Sequence, residues 1–275
     1  MNKYKIGDFA ANLGVTPDLL KHYEKYNIIS SEKRGEGGYR FYHFTQVPKI
    51  LESKKYQKLG FKLREIESML YHNPIDTLVD SLVEKTEVLA EEINDKQLVL
   101  QYARNLCQLL RELQEHTFDG KWYIGKIGSY YFFPHSKGYN FAPQAKPVLD
   151  QLANWIDSIP VVEQCCRITY NHKQYDDLMF GLSINKEDAK SLKLYIEEPV
   201  EELAESWGLI YQSTLVGGSP KVEDFINRIL EKPLHVLEKH HLTPNGDILI
   251  RTLLETLDKG DKYYHRIIMI PLKQE

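Results

Sequence analysis

Residues 74–116 restrict the possible folds of this chain more than any other stretch, because they contain no glycine and no proline after Pro74. Apolar side chains recur there at the first and fourth places of a seven-residue repeat, the pattern of a long helix with one apolar stripe. Nine of the twelve repeat positions are apolar. The twelve positions are Ile75, Val79, Leu82, Thr86, Leu89, Ile93, Lys96, Leu100, Ala103, Cys107, Leu110 and Gln114. At about 1.5 Å per residue the helix would be on the order of 60 Å long.

A helix of that length must cover its apolar stripe with another surface. The stripe can fold back onto the chain's own domain, or it can pair with the same helix of a second chain. We predict the second arrangement, a coiled-coil dimerisation helix over residues 74–117 that makes the protein a homodimer. Cys107 lies on the stripe and is expected to be a packing residue.

Two short helices are predicted near the start of the chain. The apolar residues of the first have the spacing of one helix face; they are Ile6, Phe9, Ala10 and Leu13. This helix ends at Gly14, a residue suited to a helix C-terminus. Thr16 then stands at the N-cap and Pro17 at the first position of a second helix over residues 17–26. The tight turn between them predicts a helix-turn-helix.

A loop, a short strand and two more helices follow. The loop at residues 33–40 can lay two or three cations and a tyrosine along the backbone of an anionic partner, as a wing does. Residues 39–42 are predicted to be extended, a third helix starts at Thr45, and a fourth follows Gly60. Residues 1–73 are therefore predicted to form a winged helix-turn-helix domain.

The charge of the chain is unevenly distributed, although the total is only −4. Residues 1–72 carry 13 Lys and Arg against 8 Asp and Glu, residues 73–117 carry 4 against 9, and the remainder carries 18 against 22. A basic head on an acidic body points to an anionic partner for the head. Charge alone does not distinguish a nucleic acid from a protein partner, since basic helical heads also occur on protein-binding modules.

From Phe118 onward the pattern changes to strands, turns and short helices. Extended segments are predicted at 122–134, 162–170 and 177–184 with a helix at 146–158, and the order repeats with strands at 207–216, 247–257 and 263–270 and a helix at 222–230. This doubled strand-helix-strand-strand order predicts a duplicated domain over residues 118–275, with a cleft between its halves. The predicted fold class is α+β multidomain.

Five motifs occur in unbroken order near the N-terminus: Tyr4–Ala10, Gly14–Thr16, Leu20–Glu24, Gly38–Tyr42 and Leu59–Ile66. With the long helix behind them, they resemble the MerR family of bacterial transcription regulators, which has an antiparallel dimerisation coiled coil at that place. The resemblance implies that five residues contact DNA, namely Thr16, Lys21, Tyr23, Tyr39 and Arg40. Lys21 replaces the more common arginine, which keeps the charge and loses the bidentate fork. Asn27 replaces the usual glycine after the second helix, and asparagine tolerates the left-handed conformation.

The resemblance also implies partners and a mechanism. Members of the family bind double-stranded promoter DNA as dimers, at near-palindromic sites whose spacer is too long for RNA polymerase. They activate transcription by bending and untwisting that spacer, a deformation whose cost depends on the flexibility of the DNA. RNA polymerase is therefore an expected partner, direct or indirect, and an effector is expected to shift the dimer between two geometries.

The C-terminal part resembles the GyrI-like effector-binding domain of the drug-responsive branch, through its doubled order and its closing strands at 247–257 and 263–272. The resemblance implies a hydrophobic, aromatic or drug-like effector in the cleft between the halves. The candidate effector-binding residues are aromatic: Tyr131, Trp155, Tyr170, Trp207 and Tyr264. The alternative is that these aromatic side chains build the core.

One feature of the penultimate strand departs from the drug-responsive pattern. A member of that branch pairs cationic drugs with a buried acid in this strand, whereas the present chain has apolar residues there, followed by Arg251. Glu255 lies further along and is the available substitute. A neutral or broader range of effectors is therefore expected.

No metal, cofactor or catalytic residue is predicted. Metal sensors of the family carry cysteines at the start of the dimerisation helix, where this chain has none, and the neighbours Cys165 and Cys166 would point to opposite faces of a strand. One alternative is a GyrI-like hydrolase or sequestering protein fused to a DNA-binding domain, with Glu163 or Glu255 available to activate water. Another is a C-terminal domain that binds only protein.

The sequence has no apolar run long enough to span a bilayer and no signal-peptide pattern at its start. Its three cysteines do not form the even set of a disulfide framework. We therefore expect a cytoplasmic protein without a membrane partner.

Overall fold

The computed structural model describes residues 2–34, 38–171, 174–218 and 221–273 of the chain. It divides the chain into two compact units, Met1–Glu92 and Ile93–Glu275. Within the described residues, no helix has both the length and the apolar character needed to cross a membrane.

The first unit contains a three-stranded antiparallel sheet in the order β1-β3-β2 and several helices. In chain order its elements are β1 (Lys3–Lys5), α1 (Ile6–Leu13), α2 (Pro17–Lys25), β2 (Glu32–Arg34), β3 (Tyr39–His43), a 3-10 turn (Phe44–Gln46), α3 (Val47–Lys58), α4 (Leu63–Tyr71) and the first part of α5 (Ile75–Gln114). The predicted helix-turn-helix and the single long helix are confirmed. The tip of the predicted wing, residues 35–37, lies outside the described residues.

The turn between α1 and α2 has the local chemistry that the sequence predicts. Gly14 adopts a left-handed conformation, with φ of 63°, and its backbone N–H donates to carbonyls of the last turn of α1. The Thr16 hydroxyl accepts a hydrogen bond from the Leu19 backbone N–H at 3.2 Å and so caps α2. Asn27 has φ of 57°, which confirms that asparagine supports the left-handed turn after α2.

The second unit is dominated by one sheet of nine strands. After the last part of α5, its elements are β4 (Trp122–Ile127), β5 (Tyr130–Lys137), β6 (Asn140–Phe141), α6 (Lys146–Asp157), β7 (Glu163–Asn171), β8 (Gln174–Asn185), α7 (Lys186–Ser191), β9 (Glu201–Leu203), β10 (Ser206–Val216), α8 (Val222–Lys239), β11 (Ile248–Asp258) and β12 (Asp261–Pro271).

The strand order reveals an internal symmetry in this sheet. The central strands run β10-β12-β11-β7-β8-β5, with β7 and β11 antiparallel neighbours. The half β5-α6-β7-β8 is therefore related to the half β10-α8-β11-β12 about the seam between β7 and β11. The doubled strand-helix-strand-strand order predicted from the sequence is present in the described residues.

Two predicted elements in this unit had the wrong bounds. Residues 122–134 were expected to be one extended segment, but they form β4 and β5, which pair with different strands, β10 and β8. The predicted helix over 222–230 continues to Lys239 and includes Pro233. Proline usually interrupts a helix because it lacks a backbone N–H, but here Pro233 is buried and packing of the apolar face outweighs that loss.

Both long helices of the two halves pack on the same face of the sheet. Leu178 of β8 belongs to the cluster under α8, and Leu182, four residues further along the same strand, belongs to the cluster with Trp155 of α6. Side chains alternate along a strand, so these residues share one face, which we call the helix-covered face. A separate cluster that includes Cys165 and Met269 occupies the opposite face.

His265 on the opposite face is a buried histidine between two threonines. Its Nδ1 lies 2.9 Å from the Thr214 hydroxyl, and its Nε2 lies 2.8 Å from the Thr256 hydroxyl. Burial, assisted by the charge of Arg266, lowers the pKa of His265 below its usual value.

We expect the second unit to lose stability in acid through this histidine. In the unfolded chain the histidine binds a proton near pH 6.5, whereas in the folded chain it does so only at lower pH. The free energy of unfolding therefore falls as the pH drops below about 6.5. His265→Gln should reduce this dependence by up to about 1 kcal/mol between pH 7.5 and 5.5 in urea unfolding. His135, whose pKa burial also lowers, supplies part of the remaining slope. An unchanged slope in the variant would contradict the assignment.

Candidate functional site

The exposed side of α2 forms a polar stripe in the first unit. Asp18, Lys21, His22 and Lys25 are all exposed and follow the i, i+3, i+4, i+7 spacing of one helix face. Thr16, at the start of the helix, is exposed as well. A helix presented in this way by a helix-turn-helix can enter the major groove of DNA, with its first residues facing bases and phosphates.

Tyr23, one of the five predicted DNA contacts, does not lie on this stripe. Its side chain is fully buried in the core of the unit, and its hydroxyl donates a hydrogen bond to Oε1 of Gln57 at 2.6 Å. Burial raises the pKa of Tyr23. The expectation of a direct contact is corrected accordingly: the spacing to Leu20, also fully buried, places Tyr23 on the apolar side of α2.

The remaining predicted contacts are accessible. Tyr39 at the start of β3 is 67% exposed. Next to it, Arg40 donates from Nε to Oε2 of Glu24 on α2 at 2.8 Å, so the helix orients the guanidinium. Lys21 lies 2.9 Å from a carboxylate oxygen of Asp18, and this contact lowers the pKa of Asp18. Lys25 completes the stripe and was not among the predicted contacts, although its spacing from Lys21 marks it.

The five aromatic residues predicted to bind an effector do not converge on one cavity. Trp155 is fully buried against Phe133, and its indole N–H donates to the Tyr195 carbonyl at 3.2 Å, so it is a core residue. Trp207 is 47% exposed near the start of β10. The ring of Tyr131 lies under the Lys186 ammonium, at 5.7 Å.

The last two predicted aromatic residues also lie apart. Tyr170 is half-buried near the end of β7, while Tyr264 on β12 borders a small cavity on the helix-covered face. The five residues line no common cavity among those described, because aromatic character alone does not identify the face on which a residue lies. Contact of the accessible ones with an effector stays a prediction.

A cavity of about 350 Å³ in the second unit lies between the later turns of α5 and the opposite face of the sheet. Tyr102, Leu106 and Leu109 of α5 form one wall. Phe118 contributes a buried ring, and the charged pair Glu163 and Arg251 comes from strands β7 and β11.

Glu163 and Arg251 form the polar centre of this cavity. Arg251 donates from Nε to Oε2 of Glu163 at 2.5 Å, with its Nη2 also contacting that oxygen, and from Nη1 to the Tyr130 hydroxyl at 3.0 Å. Although burial works against the charge, the Glu163 carboxylate keeps the pKa of Arg251 above its usual value. Because the Glu163 carboxylate forms an ion pair with Arg251, Glu163 is not arranged as a free base that could activate water.

A second cavity of about 230 Å³ adjoins the same charged pair. It shares Tyr102, Glu163 and Arg251 with the first and adds Asp188 of α7. Burial raises the pKa of Asp188. The ion pair therefore lies at the junction of two cavities, where a bound molecule would contact both the sheet and α5.

The described residues contain no group of three or more His, Cys, Asp or Glu side chains placed to hold a metal ion. Cys165 and Cys166 lie in clusters on opposite faces of the sheet, as expected for neighbours on a strand. Burial raises the pKa of the Cys166 thiol to about 12 and that of Cys165 further. Neither thiol is prepared to act as a thiolate ligand.

Comparison with known proteins gives matches for the N-terminal domain. Residues 4–73 match the family model described as MerR HTH family regulatory protein. The mercuric resistance operon regulatory protein of Bacillus cereus is 28% identical over 119 residues, which cover 43% of this chain and 89% of that protein. The multidrug-efflux transporter 2 regulator of Bacillus subtilis is 29% identical over 96 residues, covering 34% of this chain and 35% of that protein.

Among solved structures, a MerR-family transcriptional regulator from Bacillus cereus aligns with 24% identity and a TM-score of 0.37, covering 40% of this chain and 84% of that one. The family match spans the helices and the sheet that present the polar stripe of α2. The chain therefore carries, at residues 4–73, the DNA-binding domain of the MerR family of transcriptional regulators.

Proposed function

We propose that this protein is a dimeric, ligand-responsive regulator that binds promoter DNA and activates transcription by bending and untwisting the spacer. Two copies of the N-terminal domain would contact the half-sites of a near-palindromic operator. An effector bound in the second unit would shift the dimer between two geometries. RNA polymerase would then meet promoter elements that the deformation brings into alignment.

The α2 surface supports the DNA-binding part of the proposal. Lys21, Lys25 and Arg40 provide positive charge for phosphates, and Thr16 and Tyr39 provide hydroxyl groups close by. Contacts of this kind fix the orientation of a protein on the duplex and supply most of the salt-dependent affinity.

Exposed apolar residues on α5 support dimerisation. Ile75 and Val79 are 72% and 52% exposed in the first unit, and Ile93 and Leu100 are 58% and 49% exposed in the second. All four lie on the predicted heptad stripe. Apolar side chains exposed at heptad spacing are expected to pair with another helix, and a second copy of α5 has the matching stripe.

The 350 Å³ cavity is the observation that carries the effector part of the proposal. Sites for small molecules have volumes of about 300–1,000 Å³ and combine apolar walls with a few polar groups. Here Leu106, Leu109 and Phe118 supply apolar surface, and Glu163 and Arg251 supply the polar centre. Because α5 forms one wall, a ligand would act directly on the dimerisation helix. The doubled topology supports a GyrI-like effector domain, and the multidrug regulator among the relatives supports drug-like effectors.

Filling the cavity tests this proposal. In a screen of neutral and charged aromatic compounds, we expect some to raise the melting temperature of the protein and to increase transcription from its operator in vitro. Leu106→Trp should abolish both responses by occupying the cavity, while DNA binding without ligand stays unchanged. Equal responses in the variant would place the effector elsewhere, and an absence of responses from every compound would favour a domain that binds only protein.

We expect Arg40→Ala to weaken binding to specific and non-specific DNA alike. Loss of one phosphate contact should reduce the slope of log affinity against log salt concentration by about 1. Fluorescence anisotropy at several salt concentrations measures that slope. Lys146→Ala, which removes an exposed cation from the second unit, is the matched control and should leave the slope unchanged. An identical slope for Arg40→Ala and wild type would rule out the contact.

A further inference from the structure

Arg266 is a buried arginine on the helix-covered face of β12. It is 8% exposed, and its guanidinium carbon lies 4.7 Å from the Tyr264 ring centroid and 5.5 Å from that of Phe225. Throughout the described part of the chain, no hydrogen bond or ion pair reaches this guanidinium.

Two other arginines in the second unit, in contrast, form ion pairs with carboxylates. Arg167, equally buried, is paired with Glu201, and Arg251 is paired with Glu163. A buried charge without a counter-charge is strongly unfavourable. The two aromatic rings offset part of this cost through cation–π contacts. Burial lowers the pKa of Arg266, although neighbouring groups, among them the Glu255 carboxylate, oppose part of that shift.

A small cavity of about 40 Å³ lies beside this guanidinium. Arg266 and Cys166 line its buried part, while Gln164 and Glu255 are exposed at its rim, so the cavity has access to solvent. Thr252 adds a hydroxyl next to a register shift in β11, where the pairing with β12 skips one residue. A water molecule needs about 10–15 Å³, so the cavity has room for one small ion and is far too small for a drug-sized molecule.

We propose that this cavity binds a small monovalent anion, a halide or a small carboxylate, through the Arg266 guanidinium. The Gln164 amide and the Thr252 hydroxyl are the further donors available at the cavity. The site lies at the seam between the two halves, because Gln164 belongs to β7 and Thr252 and Arg266 belong to β11 and β12. An anion held there would link the halves and compensate the buried charge.

The Glu255 carboxylate at the rim provides an internal control for this proposal. It carries a charge of the same sign as the ion, and it is itself the alternative partner for Arg266. If an anion occupies the cavity, Glu255→Gln should tighten anion binding by about fivefold, since it removes a repulsive charge at the rim. If Glu255 instead swings in to pair with Arg266, the same variant should lower the melting temperature and confer no gain in anion binding.

The test measures thermal stability of the full-length protein in sodium gluconate, with chloride, bromide or formate substituted at constant ionic strength. We expect the melting temperature to rise saturably with at least one of the three anions. The comparison of the halides with formate shows whether the bound anion is a halide or a small carboxylate. Arg266→Met should abolish the saturable rise. Lys262→Met, which removes an exposed cation from the same strand, should retain it.

Bromide-soaked crystals supply a readout that does not depend on the folding of a variant. We expect an anomalous peak within hydrogen-bond distance of the Arg266 guanidinium. The proposal is overturned by a linear, non-saturating salt effect that Arg266→Met shares, or by a cavity without bromide in crystals that take up bromide elsewhere.

Discussion

Leu100→Glu is expected to convert the protein to a monomer and to reduce its affinity for the operator by about 10²- to 10⁴-fold, the range by which two linked contacts exceed one. Leu100 is 49% exposed on the heptad stripe of α5, so the glutamate meets water in the isolated chain and leaves its fold intact. In the proposed dimer the same glutamate would be buried among apolar residues of the partner helix. Burial of the charge therefore makes the free energy of dimerisation less favourable and leaves the stability of the isolated chain unchanged.

Sedimentation velocity measures the oligomeric state, and anisotropy with operator DNA measures the affinity. Val99→Glu is the matched control, because Val99 is the neighbouring exposed apolar residue and lies outside the first and fourth heptad positions. We expect Val99→Glu to remain dimeric. A Leu100→Glu protein that sediments as a dimer, or a control that dissociates equally, would contradict the coiled coil on this stripe.

The N-terminal domain was predictable because its signals are local. Gly14, Thr16, Pro17 and Asn27 each act through their own backbone conformation or through a neighbour three residues away, and the structure has all four as expected. Tyr23 was misplaced for a different reason. A family motif includes both side chains that contact DNA and side chains that hold the helix in place. Resemblance to the motif does not show to which group Tyr23 belongs.

The extent of the long helix was predictable, but only one of its two packing surfaces was predicted. Much of its heptad stripe is exposed, as a dimer requires, although Leu82 and Leu89 are half-buried. A second row of residues, Leu98, Tyr102, Leu106 and Leu109, faces the cavities of the second unit. These residues are three or four apart, so the row was readable in the sequence. The heptad pattern describes only one apolar face of a helix, so it does not predict a second packing surface on the same helix.

The 350 Å³ cavity was not predictable from the sequence, because its polar centre depends on strand register. Glu163 and Arg251 are 88 residues apart and meet because β7 and β11 are neighbours. In the sequence alone, Glu163 is a possible base and Arg251 is a departure from the drug-responsive pattern. Only the pairing of the strands shows that they neutralise each other. The dispersal of the aromatic candidates has a similar cause, since the sequence does not show that Trp155 is a core residue.

The second large effect concerns that ion pair. Arg251→Met is expected to lower the free energy of unfolding of the second unit by about 3 kcal/mol, because it leaves the Glu163 carboxylate buried and unpaired. The side chains of Glu163 and Arg251 are only 10% and 21% exposed, so water does little to screen the remaining charge. Urea unfolding monitored by tryptophan fluorescence measures the loss.

The double variant Glu163→Gln/Arg251→Met should regain most of that stability, since neither charge of the pair then remains buried. The exposed pair Lys186 and Glu202 is the control, and Lys186→Met should cause a much smaller loss. The double variant also separates structure from sensing. If the pair forms the polar centre of an effector site, the folded double variant will bind DNA normally and fail to respond to effector. A double variant as unstable as Arg251→Met would contradict the argument from the buried charge, and one that responds normally would show that the pair does not serve as that centre.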